Sequence, residues 1–176
     1  LHEALSPAQR EQLFRAMALD VFDALHAATA LNGVVVVTRD SALAQEATQR
    51  GFEVVREPSN DGHTSAVNRG IAVLVSRGIE SVLALPADLP TLSPSEIDAL
   101  VESRQPAPDV VISPASDEQG SNGVLLSPPD IIELRFGDAS FTPHLDKARA
   151  AGVAPRVKHL AGFGLDIDRP DDLEHF

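Results

Sequence analysis

The chain has 176 residues, of which 43% are apolar and none is cysteine, tryptophan or tyrosine, and its formal net charge is −12. That length and apolar fraction indicate one globular domain with a substantial core, and the lack of cysteine excludes a disulfide framework, a thiolate metal site and a cysteine nucleophile. The acidic surface repels nucleic acid and anionic membranes, because phosphate binding depends on lysine and arginine.

The first half of the chain alternates helix and strand patterns. Ser6 followed by Pro7 is typical of a helix start, with the serine as N-cap and the proline in the first turn. Apolar residues then repeat at helical spacing across 8–28. The next predicted elements are a β-branched strand at 34–37, a helix from Asp40 to Arg50, a strand at 52–55 and a helix from Asp61 to Arg77.

The alternation continues in the second half of the chain. Gly120 to Gly123 read as a tight turn rich in backbone donors. The pattern favours an α/β fold, Rossmann-like, with a mostly parallel sheet flanked by helices on both faces and a single domain over 1–176. The predicted elements are strands at 81–85 and 110–112, a strand at 124–126 that can run antiparallel, helices from Ser93 and from Ser140 to Ala151, and short strands at 157–160 and 165–167.

Three aspartates point to a metal site. Asp88 follows the strand at 81–85, and a carboxylate at the carboxyl end of a parallel strand is well placed to hold an ion. Asp166 and Asp168 are two residues apart, so in a strand they would share a face. Oxygen ligands of this kind suit Mg²⁺. The alternative is that Asp166 and Asp168 are turn and cap residues before Pro170.

Four motifs, in this order, carry a resemblance to a known family. They are Leu-Pro-Ala-Asp-Leu-Pro at 85–90, Gly-Ser-Asn at 120–122, Phe-Gly-x-x-Ser-Phe-x-x-His at 136–144, and Asp-Ile-Asp-x-Pro-x-Asp-Leu at 166–173. Together they resemble the CofC/FbiD family, the guanylyltransferases of coenzyme F-420 biosynthesis. The resemblance implies a MobA-like nucleotidyltransferase fold. It also implies that GTP is joined to 2-phospho-L-lactate, phosphoenolpyruvate or 3-phosphoglycerate, with release of pyrophosphate.

The same resemblance assigns roles to residues of this chain. It makes Asp88, Asp166 and Asp168 the catalytic aspartates and Mg²⁺ ligands. Ser121, Gly137 and Ser140, with Asn122 beside them, are expected to hold the carboxylate of the acceptor, and His144 to face its phosphate. The alternatives are that Ser140 is a plain N-cap, that Gly120 and Gly123 only form the turn, and that His144 is a surface or core histidine.

The resemblance also implies that the loop after the second strand approaches the guanine base and the ribose. A carboxylate there could accept hydrogen bonds from the N1 and N2 donors of guanine. The alternative is an ordinary helix start capped by Asn60 or Asp61. The candidate nucleotide-binding residues are Glu57, Asn60, Asp61 and Gly62.

One feature of the family is not found in this sequence. The family begins with a strand and a basic loop that grips the triphosphate, whereas this sequence shows no glycine-rich or lysine-rich phosphate cradle. We expect such a segment to precede Leu1, since a sheet without its central strand would expose an unpaired edge. The alternatives are a MobA-like enzyme for another acceptor and a non-catalytic nucleotide-binding homologue.

Location and assembly are predicted only in outline. No apolar run approaches the roughly 18 residues of a membrane span, and no signal peptide pattern precedes the first helix, so we expect a cytoplasmic protein. The apolar positions of the first helix could serve the core or a homodimer equally.

Overall fold

A computed structural model describes residues 4–57, 59, 61–137, 139–167 and 172. None of the helices in these ranges is both long and apolar enough to span a membrane. The helices are α1 Pro7–Ala27, α2 Ser41–Gln49, α3 His63–Ser76, α4 Pro94–Glu102, α5 Phe141–Ala150 and α6 Ala161–Gly164, and the strands are β1 Val35–Thr38, β2 Glu53–Arg56, β3 Val82–Ala84, β4 Asp109–Pro114, β5 Ser121–Ser127 and β6 Arg156–Val157.

The helix starts follow from local capping chemistry. At α1 the Ser6 hydroxyl accepts from Gln9 N while the Gln9 side chain accepts from Ser6 N, a reciprocal capping box. At α2 the Asp40 carboxylate accepts from two backbone N–H groups of the first turn. At α4 Ser93 and Glu96 form a second capping box. The starts predicted at Ser6, Asp40 and Ser93 are therefore confirmed.

The strands form two sheets. β1 and β2 pair in parallel, and the second sheet has the order β3-β5-β4-β6. β5 runs antiparallel to both of its neighbours, whereas β4 and β6 are parallel. Among the described strands of this second sheet, β3, β4 and β6 thus share one direction and β5 opposes them. The α/β class is confirmed, with a mixed rather than uniformly parallel set of strand pairs.

Helices cover both faces of the second sheet. Alternate residues of a strand face opposite sides, so Val110 and Ile112 enter one core while Val111 enters the other. The first core includes Phe141 and Ala148 of α5 together with residues of α3. The second core joins residues of α1, α4 and α6. The helices on both faces that the alternating pattern predicts are confirmed.

Two local predictions were wrong. Ser121 to Gly123 do not form a turn but begin β5. A Cβ at Gly123 would lie 2.7 Å from a ring carbon of Phe163, so this glycine permits close packing and does not serve a turn. Residues 165–167 are not a strand either, and their backbone contact is a hydrogen bond from Ile167 N to Asp88 O at 3.4 Å.

Candidate active site

A cavity of about 1740 Å³ lies beside the strands β1 and β3. Residues of both strands form part of its wall, and the loop after β3 and the start of β5 form another part. Most of the residues predicted to bind substrate or metal line this one cavity. They are Glu57, Asp61, Gly62, Asp88, Ser121, Asn122, Gly137, Ser140 and Asp166. Asn60 and Asp168 lie outside the described residues.

The reversed direction of β5 explains why these residues meet. Ala84 at the end of β3 pairs with Val124 of β5. Because the two strands are antiparallel, the residues that follow β3 lie at the same end of the strands as the residues that begin β5. Asp88 and Ser121 therefore lie at the same end of the sheet, although 33 positions separate them in sequence.

A β-bulge at the start of β5 changes the direction of its first side chains. The β4–β5 register is regular as far as the pair Ser113 and Gly123. The next residue of β4, Pro114, pairs with Ser121, so Asn122 is an extra residue without a partner in the register. In an uninterrupted strand Ser121 and Gly123 would share a face. Here the Ser121 hydroxyl instead contacts α5, while the position of a Gly123 Cβ faces Phe163.

The extra residue anchors the predicted metal ligand Asp166. Asn122 Nδ2 donates to Phe163 O at 2.9 Å and to Asp166 Oδ1 at 3.1 Å. Both partners are acceptors, so the amide nitrogen must occupy this position. The neighbouring bond from Ile167 N to Asp88 O joins the same segment to the loop after β3.

The short helix α6, which precedes Asp166, is held by α4. Glu96 accepts from Gly162 N at 2.7 Å and from the Ser93 hydroxyl at 2.6 Å. Burial raises the pKa of Glu96, but these hydrogen bonds lower it more, so the pKa lies below its ordinary value. A Cβ at Gly162 would lie 2.8 Å from the backbone atom Thr91 O and 2.9 Å from Leu92 Cα, so only glycine fits there. The approach of the chain to Asp166 is thus set by α4.

The carboxylates of the cavity suit a hard cation. Asp88 and Asp166 both line it, and Mg²⁺ in proteins commonly takes one or two carboxylates together with substrate oxygens. Within the described ranges no three His, Cys, Asp or Glu side chains form a metal-binding group. Asp88 and Asp166 therefore stay predicted Mg²⁺ ligands, which oxygens of the substrate phosphates would complete.

Two buried serines, Ser121 and Ser140, form another part of the cavity wall. Ser140 is the N-cap of α5, but its side chain makes no capping hydrogen bond, so the plain N-cap interpretation is wrong. Its hydroxyl oxygen instead accepts from Ser121 N at 3.0 Å. Both serines are at least 96% buried, and both line the cavity.

His144 lies behind these serines and not in the cavity. Its side chain is fully buried, and its ring makes two hydrogen bonds, from Arg135 N to Nε2 at 3.0 Å and between Nδ1 and Ser121 Oγ at 2.9 Å. Burial, followed by the charge of Lys147, lowers the pKa of His144 to about 4. The ring is therefore neutral at pH 7. The expected direct contact with the acceptor phosphate is corrected, because His144 is enclosed by protein.

The loop before Gly137 is tied to α3 by two residues that sequence reasoning missed. Thr64 Oγ1 accepts from Phe136 N at 2.9 Å and contacts Phe136 O at 3.2 Å, and Asn68 Nδ2 donates to Leu134 O at 2.9 Å. These partners are separated by 66 or more positions. No local pattern in the sequence marks them.

The start of α3 also lines the cavity. Gly62 is its N-cap, with φ of 85° and no side-chain capping bond, so the interpretation of Asp61 as cap is wrong. The Asp61 carboxylate instead accepts from the Ser59 hydroxyl at 2.8 Å. His63 packs edge-on against Phe136 with ring centroids 4.5 Å apart, and burial lowers its pKa. Because Thr64 and His63 both touch Phe136, the predicted nucleotide loop and the acceptor loop are in contact through α3.

Comparison with known proteins identifies the family. The model of the family described as "Guanylyl transferase CofC like" matches residues 1–176. The chain belongs to this family. The resemblance carried by the four motifs is thereby confirmed, and so is the assignment of the chain to the nucleotidyltransferases.

Three relatives with assigned names cover nearly the whole chain. The phosphoenolpyruvate guanylyltransferase of Rubrobacter xylanophilus is 36% identical over 173 residues, 98% of this chain and 83% of its own length. The 2-phospho-L-lactate guanylyltransferase of Methanothermobacter thermautotrophicus is 30% identical, covering 98% and 75%. The 3-phospho-D-glycerate guanylyltransferase of Phenylobacterium zucineum is 33% identical, covering 98% and 80%.

Solved structures support the fold. A 4-diphosphocytidyl-2C-methyl-D-erythritol synthase superposes with a TM-score of 0.69 at 16% identity, over 90% of this chain and 87% of its own. A cytidylyltransferase from Leptospira borgpetersenii gives 0.61 at 16% identity, over 90% and 72%. At such identities the likeness concerns the fold alone, and it confirms the Rossmann-like nucleotidyltransferase architecture.

Proposed function

We propose that this protein transfers the guanylyl group of GTP to a phosphorylated three-carbon acid, with Mg²⁺, in coenzyme F-420 biosynthesis. The observation that carries the proposal is the meeting of Asp88, Asp166, Ser121 and Ser140 on one cavity in a member of the CofC-like family. Relatives named for phosphoenolpyruvate, 2-phospho-L-lactate and 3-phospho-D-glycerate supply the three candidate acceptors.

The reaction needs charge neutralisation and alignment more than covalent work by the protein. An oxygen of the acceptor phosphate attacks the α-phosphorus of GTP, the bond from that phosphorus to the bridging oxygen breaks, and pyrophosphate leaves. A metal ion bound in this cavity would offset the negative charge of the two phosphate groups. Asp88 and Asp166 would hold it, with Asp168 as a further predicted ligand.

The serine wall suits the carboxylate of the acceptor. A carboxylate only accepts hydrogen bonds, so its site must present donors. Among the described residues the Ser140 hydroxyl accepts from Ser121 N and has no acceptor for its own hydrogen, and the polar contact of the Ser121 hydroxyl is with His144 Nδ1. Gly137 lines the same cavity as Ser121 and Ser140. Its backbone φ is 156°, and a Cβ at this position would contact no atom within 4 Å.

The loop at the start of α3 suits the nucleoside. Glu57 and Asp61 line the cavity, and a carboxylate can accept from both N1–H and N2–H of guanine. Cytosine and adenine do not offer this pair of adjacent donors. This half of the site is therefore proposed to select GTP.

The test is pyrophosphate release from the protein incubated with Mg²⁺ and each pairing of a nucleotide with an acceptor. GTP, CTP and ATP are combined in turn with phosphoenolpyruvate, 2-phospho-L-lactate and 3-phosphoglycerate. Release with GTP and one acceptor is expected. No release from folded protein that still binds GTP would contradict the proposal and favour a non-catalytic homologue. A homodimer and a cytoplasmic location stay predictions, which light scattering and cell fractionation would check.

A further inference from the structure

The hydrogen bonds of His144 determine where its proton lies. Nε2 accepts from the backbone N–H of Arg135 at 3.0 Å, and a ring nitrogen that accepts carries no hydrogen. In a neutral imidazole the hydrogen must then be on Nδ1. Nδ1 is 2.9 Å from Ser121 Oγ, so His144 donates and the serine oxygen accepts.

That assignment fixes the role of the Ser121 hydroxyl. Its oxygen receives the histidine hydrogen, so its own hydrogen cannot be directed at His144. Within the described residues the hydroxyl of Ser121 has no other partner, and Ser121 lines the cavity whereas His144 does not. The Ser121 hydroxyl hydrogen is therefore available to donate to a ligand bound in the cavity.

The same ring also holds the loop that carries Gly137. The bond from Arg135 N fixes the backbone two residues before Gly137, and the Phe136 ring packs on the imidazole with centroids 5.3 Å apart. One buried side chain therefore contacts two of the three elements predicted to hold the acceptor.

We propose that His144 is a positioning residue for acceptor binding: its Nδ1–H donates to Ser121 Oγ and so directs the Ser121 hydroxyl hydrogen to the carboxylate of the phospho-acid. The inference rests on the proposed function, which supplies the anionic acceptor. It adds a role that is distinct from substrate contact, since the histidine acts through the serine.

Two amide variants separate the two hydrogen bonds of the ring. Asparagine places an amide nitrogen near the position of Nδ1, so His144→Asn keeps a donor for Ser121 and loses the acceptor for Arg135 N. Glutamine places an amide oxygen near Nε2, so His144→Gln keeps that acceptor and loses the donor. Each variant lacks one hydrogen bond, which makes them matched controls for stability.

The experiment measures kcat and KM for phosphoenolpyruvate, 2-phospho-L-lactate and 3-phosphoglycerate at saturating GTP in wild type and both variants, alone and combined with Ser121→Ala. We expect His144→Gln to raise the acceptor KM about 10-fold relative to His144→Asn, the cost of a weakened hydrogen bond to a charged group. The KM for GTP should stay similar in both. In the Ser121→Ala background the difference should vanish, because the histidine has no hydroxyl to orient.

The outcomes separate this inference from the proposed function. A wild type without turnover on any acceptor overturns both. A wild type that turns over, with equal acceptor KM in the two variants or a difference that persists without the Ser121 hydroxyl, overturns the role of His144 alone.

A measurement on the wild type needs no folded variant. Long-range ¹H–¹⁵N correlation of the histidine rings reports which nitrogen bears the hydrogen. The Nδ1–H tautomer is expected for His144, and an Nε2–H tautomer would contradict the inference.

Discussion

Ser140 Oγ accepts a hydrogen bond from Ser121 N at 3.0 Å, and this contact joins the start of α5 to the start of β5. Both residues are buried, so the Ser121 N–H has no access to bulk water. The bond therefore has two consequences, one for stability and one for the acceptor site.

Ser140→Ala is expected to destabilise the protein by about 1–3 kcal/mol, because it leaves a buried N–H without an acceptor. It should also raise the KM for the acceptor, since one of two hydroxyl donors is lost. Urea unfolding and acceptor kinetics measure the two effects. Ser41→Ala, at an exposed serine of α2, is the control and should change neither. A Ser140→Ala protein as stable as wild type would contradict the structural role.

Asp88→Asn is expected to lower turnover by about 10²-fold or more, because the substitution removes a charge proposed to hold the metal ion at the reacting phosphates. The thermal midpoint should stay close to that of wild type. Asp20→Asn makes the same change of net charge at an exposed position of α1 and should leave turnover unchanged. A folded Asp88→Asn protein with wild-type turnover would remove Asp88 from the mechanism.

Gly123→Ala is expected to cost about 1–3 kcal/mol, because the added Cβ would lie 2.7 Å from the Phe163 ring and 3.0 Å from Leu100 Cδ2. Phe163 O accepts the bond from Asn122, so the shift should also reduce turnover. Gly33→Ala is the control, since its Cβ would meet nothing within 4 Å and Gly33 lacks a left-handed φ. Equal denaturation midpoints for the two variants would show that the Phe163 ring can move aside.

His144 should make stability depend on pH. Its folded pKa of about 4 lies below the ordinary 6.5, so the unfolded chain takes up the proton first. The contribution of the neutral His144 ring to the free energy of unfolding is complete above about pH 6.5. It is lost as the pH falls toward 4, by up to about 1.4 kcal/mol per pH unit. The difference in the free energy of unfolding between wild type and His144→Gln should therefore shrink by about 2 kcal/mol as the pH falls from 7 to about 5. Parallel pH profiles would rule out the buried neutral imidazole.

The parts of the fold that depend on neighbouring residues could be predicted. The helix starts at Ser6, Asp40 and Ser93 use caps within three residues, and the run of valines that yields β1 carries its preference in each side chain. The parts that depend on distant contacts could not. A glycine that admits the Phe163 ring looks the same in sequence as one that forms a turn, so the pattern around Gly123 predicts a turn that the structure does not contain.

The candidate site divides in the same way. The aspartates and serines could be named because their motifs occur in order along the chain. The role of His144 could not, because its ring partners Ser121 and Arg135 lie 23 and 9 positions away. The contact of Thr64 with Phe136 spans 72 positions. Such residues contact the ones predicted to bind substrate, and only the folded chain brings them together.

The bulge in β5 has a consequence for how such a site can arise. Without Asn122 the register would stay regular, Ser121 would still face α5, and the core pairs from Ile112 opposite Val124 onward would be unchanged. What would be lost is the amide that reaches Asp166. One inserted residue thus lets a single strand contact both Asp166, a predicted metal ligand, and α5, whose start carries the predicted acceptor-binding residue Ser140, while the core pairs keep their register.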